Sequence, residues 1–145
     1  GEDKAYLAGL LHDIAKELSE EENNYYINTY HLPKTLKDEK NKNIRHADIG
    51  AVIAKEKYQV TEDIYNAIKY HTIGNKNMDL LAKIIFIADK IGRKNIPTDL
   101  IPVKELAYQD IDKAMYHLLT TQKNYLQKKG IKMHNDSQEL LKKLT

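Results

Sequence analysis

The chain has 145 residues, one domain's worth, with 23 Lys+Arg against 21 Asp+Glu for a net charge of +2. The absence of cysteine excludes disulfides, thiolate metal sites and a cysteine nucleophile, and the balanced charge excludes the broad basic field of a nucleic-acid binder. No apolar run approaches the ~20 residues that span a bilayer, and no signal-peptide pattern opens the chain. The expectation is a soluble, cytoplasmic, single domain over 1–145.

Apolar residues recur at helical spacing along nearly the whole chain. Leu7, Leu10, Leu11, Ile14 and Leu18 step by three and four, which predicts an amphipathic helix over 3–18. Ser19 followed by Glu20, Glu21 and Glu22 reads as an N-cap, with acidic residues on the positive end of a second helix over 20–30. That helix stops before Pro33. Residues 34–45 are polar and lysine-rich and read as an exposed loop. Helices follow over 46–57 and 61–71, the latter capped by Thr61. Residues 77–91 form the most hydrophobic helix and the expected core. After a proline-containing loop, 103–129 read as one long helix ended by Gly130, and 136–144 as a short closing helix. No alternating strand pattern and no repeat is present. The fold class is therefore all-α, a globular bundle of six or seven helices.

Several polar residues lie on otherwise apolar faces. His12 and Asp13 interrupt the stretch AYLAGLLHDIAK. His71 continues the stripe of Ile64 and Ile68, and Asp89 the stripe of Leu81 and Ile85. His46 begins a helix just after the polar loop. A carboxylate buried on such a stripe without a partner costs several kcal/mol, and a divalent cation compensates it well. A lone His on an apolar stripe is more often a hydrogen-bonded core residue, and a lone Asp more often caps or pairs with Lys or Arg. Separate helices each bringing such a group make a shared metal site an equal reading. Nitrogen and carboxylate ligands without sulfur suit iron, manganese, cobalt, nickel or zinc. Such an ion can lower the pKa of a bound water towards neutrality, and a pair of ions ~3.5–4 Å apart can clamp a phosphate. His31 reads as surface, His117 as surface or core edge, and His134 is ambiguous.

The stretch AGLLHDIAK (8–16) resembles the His-Asp motif of the HD-domain metal-dependent phosphohydrolases. The ordered set His46, His71 and then Asp89 in FIADK matches the same family. RHADIGA (45–51), AIKYHTIGNKNM (67–78), LLAKIIFIADKI (80–91), ELAYQDIDKA (105–114) and IKMHNDS (131–137) resemble its branch of bacterial symmetrical bis(5′-nucleosyl)-tetraphosphatases. The resemblance implies an HD-type helical bundle that splits diadenosine tetraphosphate into two ADP by a metal-activated water. It implies one or two divalent ions, iron in the first place, with cobalt, manganese or zinc as alternatives. It places His12, Asp13 and Asp89 as central ligands, with Asp13 able to bridge, and His46 and His71 around a second ion.

The resemblance further implies phosphate-facing roles for Lys16, one turn beyond the His-Asp pair, with a solvated helix-face lysine as the equal alternative, and for Arg93, whose guanidinium can grip phosphate bidentately. Thr72 and Gly74 fall in a His-Thr-x-Gly turn, where phosphate contact competes with plain turn chemistry. His134 matches a family histidine of underived role. One departure stands out. The family's first metal-binding His lies well upstream of the His-Asp pair, and the 11 residues before His12 contain none. The expectation is a domain lacking its N-terminal helix, with one ligand missing and the apolar face of helix 3–18 without a neighbour. Two further readings stay open: a phosphohydrolase of the same type acting on another nucleotide or a cyclic dinucleotide, and a degenerate, non-catalytic nucleotide- or metal-binding module. The implied partner is a small phosphorylated molecule, not a nucleic-acid polymer or a membrane. The ten tyrosines leave a homodimer interface open.

Overall fold

A computed structural model describes residues 2–92 and 95–145. Among these residues the chain forms eight α-helices joined by turns and short 3₁₀ segments, with no strand. They are α1 (Glu2–Leu11), α2 (Glu20–Thr29), α3 (Lys42–Tyr58), α4 (Glu62–Lys69), α5 (Leu80–Ile91), α6 (Ile101–Gln109), α7 (Ile111–Lys128) and α8 (Asn135–Leu144). No helix among the described residues is long and apolar enough to cross a membrane.

Most sequence signals for helix ends operate as written, but Thr61, at the N-cap position of α4, donates its hydroxyl to the Asp63 carboxylate and caps no backbone N–H. Ser19 and Glu22 form a reciprocal capping box at α2: the Glu22 N–H donates to Ser19 Oγ at 3.1 Å, and the Ser19 N–H to Glu22 Oε1 at 3.0 Å. Asp79 caps α5 through the Ala82 N–H at 2.9 Å. Gly130 takes φ +70° just past α7. Gly74 takes φ +82° in the turn after α4, where a Cβ would lie 2.7 Å from Leu140 Cδ2.

Three expectations are corrected. The helix expected over 3–18 ends at Leu11, and 12–17 run on as turns closed by three-residue bonds such as Lys16 N–H to Asp13 O at 3.0 Å. Ile14 and Leu18 kept the apolar spacing although they lie outside the helix. The helix expected over 103–129 is two helices. Asp110 breaks it in an extended conformation (φ −156°, ψ 102°), and its carboxylate accepts from the N–H groups of Asp112 and Lys113. The lysine-rich loop 34–45 is largely ordered: it holds two 3₁₀ turns, α3 starts at Lys42, and Leu36 and Arg45 are buried. Arg45 forks onto Glu20 at 3.0 and 3.4 Å, tying α3 to α2.

The main core is shared by α1, α3, α4, α5, α6, α7 and α8, around Ile68, Phe86, Val103, Met115, Leu118, Leu119 and Leu140. A smaller cluster of Ala15, Ile27, Leu36, Ile49 and Ile53 fills the space under α2 and the 3₁₀ turns. The two meet at the 12–17 turns, since Ile14 packs against both. The apolar residues Tyr6, Leu7 and Leu10 of α1, and Leu80 and Ile84 of α5, are exposed.

Candidate metal centre

Adjacent side chains on an α-helix diverge by ~100°, so His12 and Asp13 could not face one point from within α1. Ending the helix at Leu11 resolves this. The turns that follow bring His12 Nε2 within 3.2 Å of Asp13 Oδ2. α4 ends at Lys69 in the same way and leaves His71 in the next turn, completely buried. α3 supplies His46 from its first turns, and α5 supplies Asp89 from its last.

The four elements converge. His12 Nε2 is 3.4 Å from Asp89 Oδ1. The second oxygen of Asp13 lies 3.3 Å from His46 Nε2 and 3.4 Å from His71 Nε2, and the two histidine nitrogens are 3.2 Å apart. One ligand atom each from His12, Asp13, His71 and Asp89 falls within 4.8 Å of all the others. Ligands ~2.0–2.2 Å from a common ion lie within ~4.4 Å of each other, so contraction by a few tenths of an ångström closes the shell.

Proton bookkeeping shows what this set lacks. His12 Nδ1 is 2.5 Å from Gly9 O, and His71 Nδ1 is 2.6 Å from Ile68 O. A carbonyl only accepts, so each ring donates its Nδ1 proton to the backbone one turn earlier. Each neutral ring then points a bare Nε2 lone pair at carboxylates. Burial pushes the His71 pKa down to about 4, against the opposing Ile68 carbonyl, so the ring stays neutral at pH 7. Burial also lowers His46, with Asp13 working against it. His12 goes the other way, raised first by its hydrogen bond to Asp89 and then by Gly9 and Asp13, against burial. Burial opposes ionisation of Asp89, but His12 and Lys90 together hold it well below the usual carboxylate range. His71 Nε2 facing Asp13 is thus an acceptor meeting an acceptor, and His12 meets two carboxylates only by taking a second proton. A divalent cation relieves both contacts, so the donor set fits one.

The remaining residues singled out in the sequence take varied places. Lys16 is exposed and borders two cavities. One, of about 450 Å³, opens on the cluster between Gly9, His12, Asp13 and Asp89. The other, of about 230 Å³, includes Lys42, Arg45 and His46. Thr72 is half-buried beside His71, and Gly74 is buried in the turn, where its positive φ and tight packing give it a backbone role. Arg93 lies outside the described residues. His31 is exposed, and His117 Nε2 meets Asp99 O at 2.9 Å. Sequence reasoning missed Lys90. Its ammonium donates to the carbonyls of His71 and Thr72, stands 3.4 Å from Asp89 Oδ2 and lies 3.9 Å over the Phe86 ring. The available signal was a lysine next to Asp89 at the end of the most apolar helix.

Comparison with known proteins agrees with this geometry. The HD-domain family model matches residues 1–94. The symmetrical bis(5′-nucleosyl)-tetraphosphatase of Bacillus subtilis is 34% identical over 128 residues, 88% of this chain and 68% of that protein. The enzyme of the same name from Staphylococcus aureus is 30% identical over 141 residues, 95% of this chain and 72% of that protein. A crystal structure from Clostridium acetobutylicum, described as a predicted HD superfamily hydrolase involved in NAD metabolism, superposes with a TM-score of 0.84 at 30% identity. That match covers 98% of this chain and 76% of the other. With the His-Asp cluster in place and relatives of this closeness, the chain belongs to the HD-domain family, in the group of the symmetrical bis(5′-nucleosyl)-tetraphosphatases.

Proposed function

We propose that the chain is a metal-dependent phosphoanhydride hydrolase that cleaves diadenosine tetraphosphate at its centre into two ADP. The observation that carries this reading is the set of lone pairs from His12, Asp13, His71 and Asp89, drawn together with the proton-bearing sides of both histidines turned away. The relatives' activity supplies the substrate. His12, Asp13, His71 and Asp89 would hold one ion. His46 would border another through the second oxygen of Asp13, which it shares with His71, so that His71 stands between the two positions. Iron is the metal the family resemblance favours, and manganese, cobalt and zinc share its ligand preferences. A bound divalent ion would acidify water and neutralise phosphate charge.

The chain's own groups would do the rest. Lys16 borders the open face of the cluster, where it would meet a phosphate oxygen. Lys90 holds the His71–Thr72 turn against Asp89. Water contributes its oxygen to one inner phosphorus, the central P–O–P bridge breaks, and the bridging oxygen leaves on the other half. Two ADP form, and the protons of the water pass to solvent. ADP is a weak base and leaves with little help from a general acid. We place residues 1–145 in one HD-type domain of a cytoplasmic enzyme, with a homodimer compatible with the exposed tyrosines.

The test is turnover of diadenosine tetraphosphate with iron, cobalt or manganese, with products separated by chromatography. ADP as the sole product supports the reading. Full activity in an Asp13→Ala variant overturns it.

A further inference from the structure

On the far side of the His71–Thr72 turn lies a cavity of about 650 Å³. It is within the ~300–1,000 Å³ that small-molecule sites occupy. Thr72 and Lys90 line it, and each is the chain neighbour of a cluster residue, His71 and Asp89. The cavity therefore begins one residue from the metal centre. Its walls are mostly apolar, with Leu100, Leu126 and Met133 among them, and Tyr125 on α7 is 57% exposed. The Tyr125 ring stacks on no other aromatic among the described residues, and the Lys129 ammonium lies over it, 4.9 Å from its centroid.

Several polar side chains of this cavity are already engaged: Lys90 on the carbonyls of His71 and Thr72, Thr121 on His117 O and Ser137 on Ile73 O. Gln122 makes no hydrogen bond among the described residues, so its amide offers a donor and an acceptor together. His134 accepts the Asp136 N–H on Nδ1 at 3.0 Å, which puts the proton of the neutral ring on Nε2 as a donor. Asp99 uses its backbone carbonyl for His117 and keeps its carboxylate uncommitted. A carboxylate repels phosphate and accepts well from sugar hydroxyls. An apolar wall, an unstacked aromatic, an amide and a lone carboxylate match a nucleoside and not a phosphate chain.

We propose that this cavity seats the nucleoside of one half of the substrate. The base would lie against Tyr125 and be read by Gln122, and the ribose hydroxyls would lie toward Asp99. The phosphates would then run past Thr72 and Lys90 to the cluster. This rests on the dinucleotide hydrolase reading, because only a substrate with a nucleoside a short phosphate chain from the reacting phosphorus needs a seat here. It also gives His134 a place in recognition.

The experiment uses the full chain loaded with manganese, and compares wild type with Tyr125→Ala and Gln122→Ala. Both sites are on the outer face of α7, and circular dichroism checks folding. ADP binding is measured by equilibrium dialysis, and KM and kcat with diadenosine tetraphosphate. The expected result is an ADP Kd and a KM raised about tenfold by Tyr125→Ala, with kcat changed less than KM, and a smaller rise for Gln122→Ala. Unchanged ADP binding in both variants overturns the nucleoside seat while leaving the hydrolase reading intact, and so does failure of wild type to bind ADP. Failure of wild type to produce ADP from the dinucleotide removes the hydrolase reading. In that event the dialysis result still decides the seat, weakened ADP binding supporting it and unchanged binding overturning it.

Discussion

The part of the chain before residue 93 and the part after 94 use their polar residues in opposite ways. In the first, His12 and His71 give one ring proton to a backbone carbonyl and aim the other nitrogen at carboxylates. In the second, polar side chains mostly close bonds to the backbone. His117 meets Asp99 O, the Thr121 hydroxyl donates to His117 O, the Ser137 hydroxyl to Ile73 O, and the Gln138 amide to Met133 O. The first part leaves electron pairs that need a cation. The second leaves a wall with a few uncommitted groups facing a cavity. On the readings proposed above the difference divides chemistry from recognition, and the HD-domain match stops at residue 94.

The strongest way to break this comparison is to remove Asp13. Its two oxygens contact three histidines. Asp13→Ala should lose at least about 10²–10³-fold in activity and lose stoichiometric metal by elemental analysis, while circular dichroism stays helical. A variant that keeps both metal and rate would show that the cluster is a structural ion-pair network.

The second test uses pH on metal-free protein. His71 ionises near pH 4 in the fold and near 6.5 when unfolded. Between these values the unfolded chain binds the extra proton, so stability falls as pH drops from about 6.5 to 4. The full difference is about 3 kcal/mol, undiscounted because the ring is completely buried. His71→Gln removes the ionisable ring. Its urea-unfolding free energy should fall less than that of wild type between pH 7 and pH 4.5. Parallel curves would mean that the ring is charged in the fold.

How far the sequence reached follows from what each signal is made of. Helix identity was legible because apolar spacing of three and four directly reports a buried face. Helix breaks were not, because Ile14, Leu18 and Ile111 keep that spacing across a turn. The cluster residues were visible as polar groups on apolar stripes, which is how His12, Asp13, His71 and Asp89 stood out. That His12 and Asp13 both reach one centre depended on the end of α1, which the spacing concealed. Lys90 was hidden by its own commonness in a chain with 23 Lys+Arg. Leu36, a single apolar residue in a polar run, gave no periodicity from which its burial could be read.

The third test shows where the two parts touch. Asp48 on α3 is half-buried, and burial pushes its pKa up to about 6, against Lys69 and with the help of Asp136 at the start of α8. The folded chain therefore binds the extra proton between about pH 4 and 6, and stability from this group rises as pH falls through 6. The shift from 3.8 to about 6 converts to at most about 3 kcal/mol of cost to the fold at pH 7.5, reduced to about 1–2 kcal/mol by solvent screening of this half-buried group. Asp48→Asn should raise the urea midpoint at pH 7.5, with the gain fading by pH 5 as the wild-type carboxyl protonates. An equal gain at both values would show that packing, not charge, is responsible.

The smallest effect is expected within the second part alone. Asp110 ends α6 and caps α7, accepting from the N–H groups of Asp112 and Lys113 at 3.1 and 3.2 Å. Asp110→Ala should cost about 1 kcal/mol of global stability, the usual loss of an N-cap, read as a lower urea midpoint. α7 carries Thr121, Gln122 and Tyr125 into the cavity wall, whereas the cluster is held by α3, α5 and the turns after α1 and α4. Loss of the cap should therefore weaken ADP binding more than metal binding. Equal weakening of both would mean that α7 positions the cluster through its packing on α5, where Lys83 already bridges to Asp112 at 2.7 Å, and the separation of chemistry from recognition would then fail at that contact.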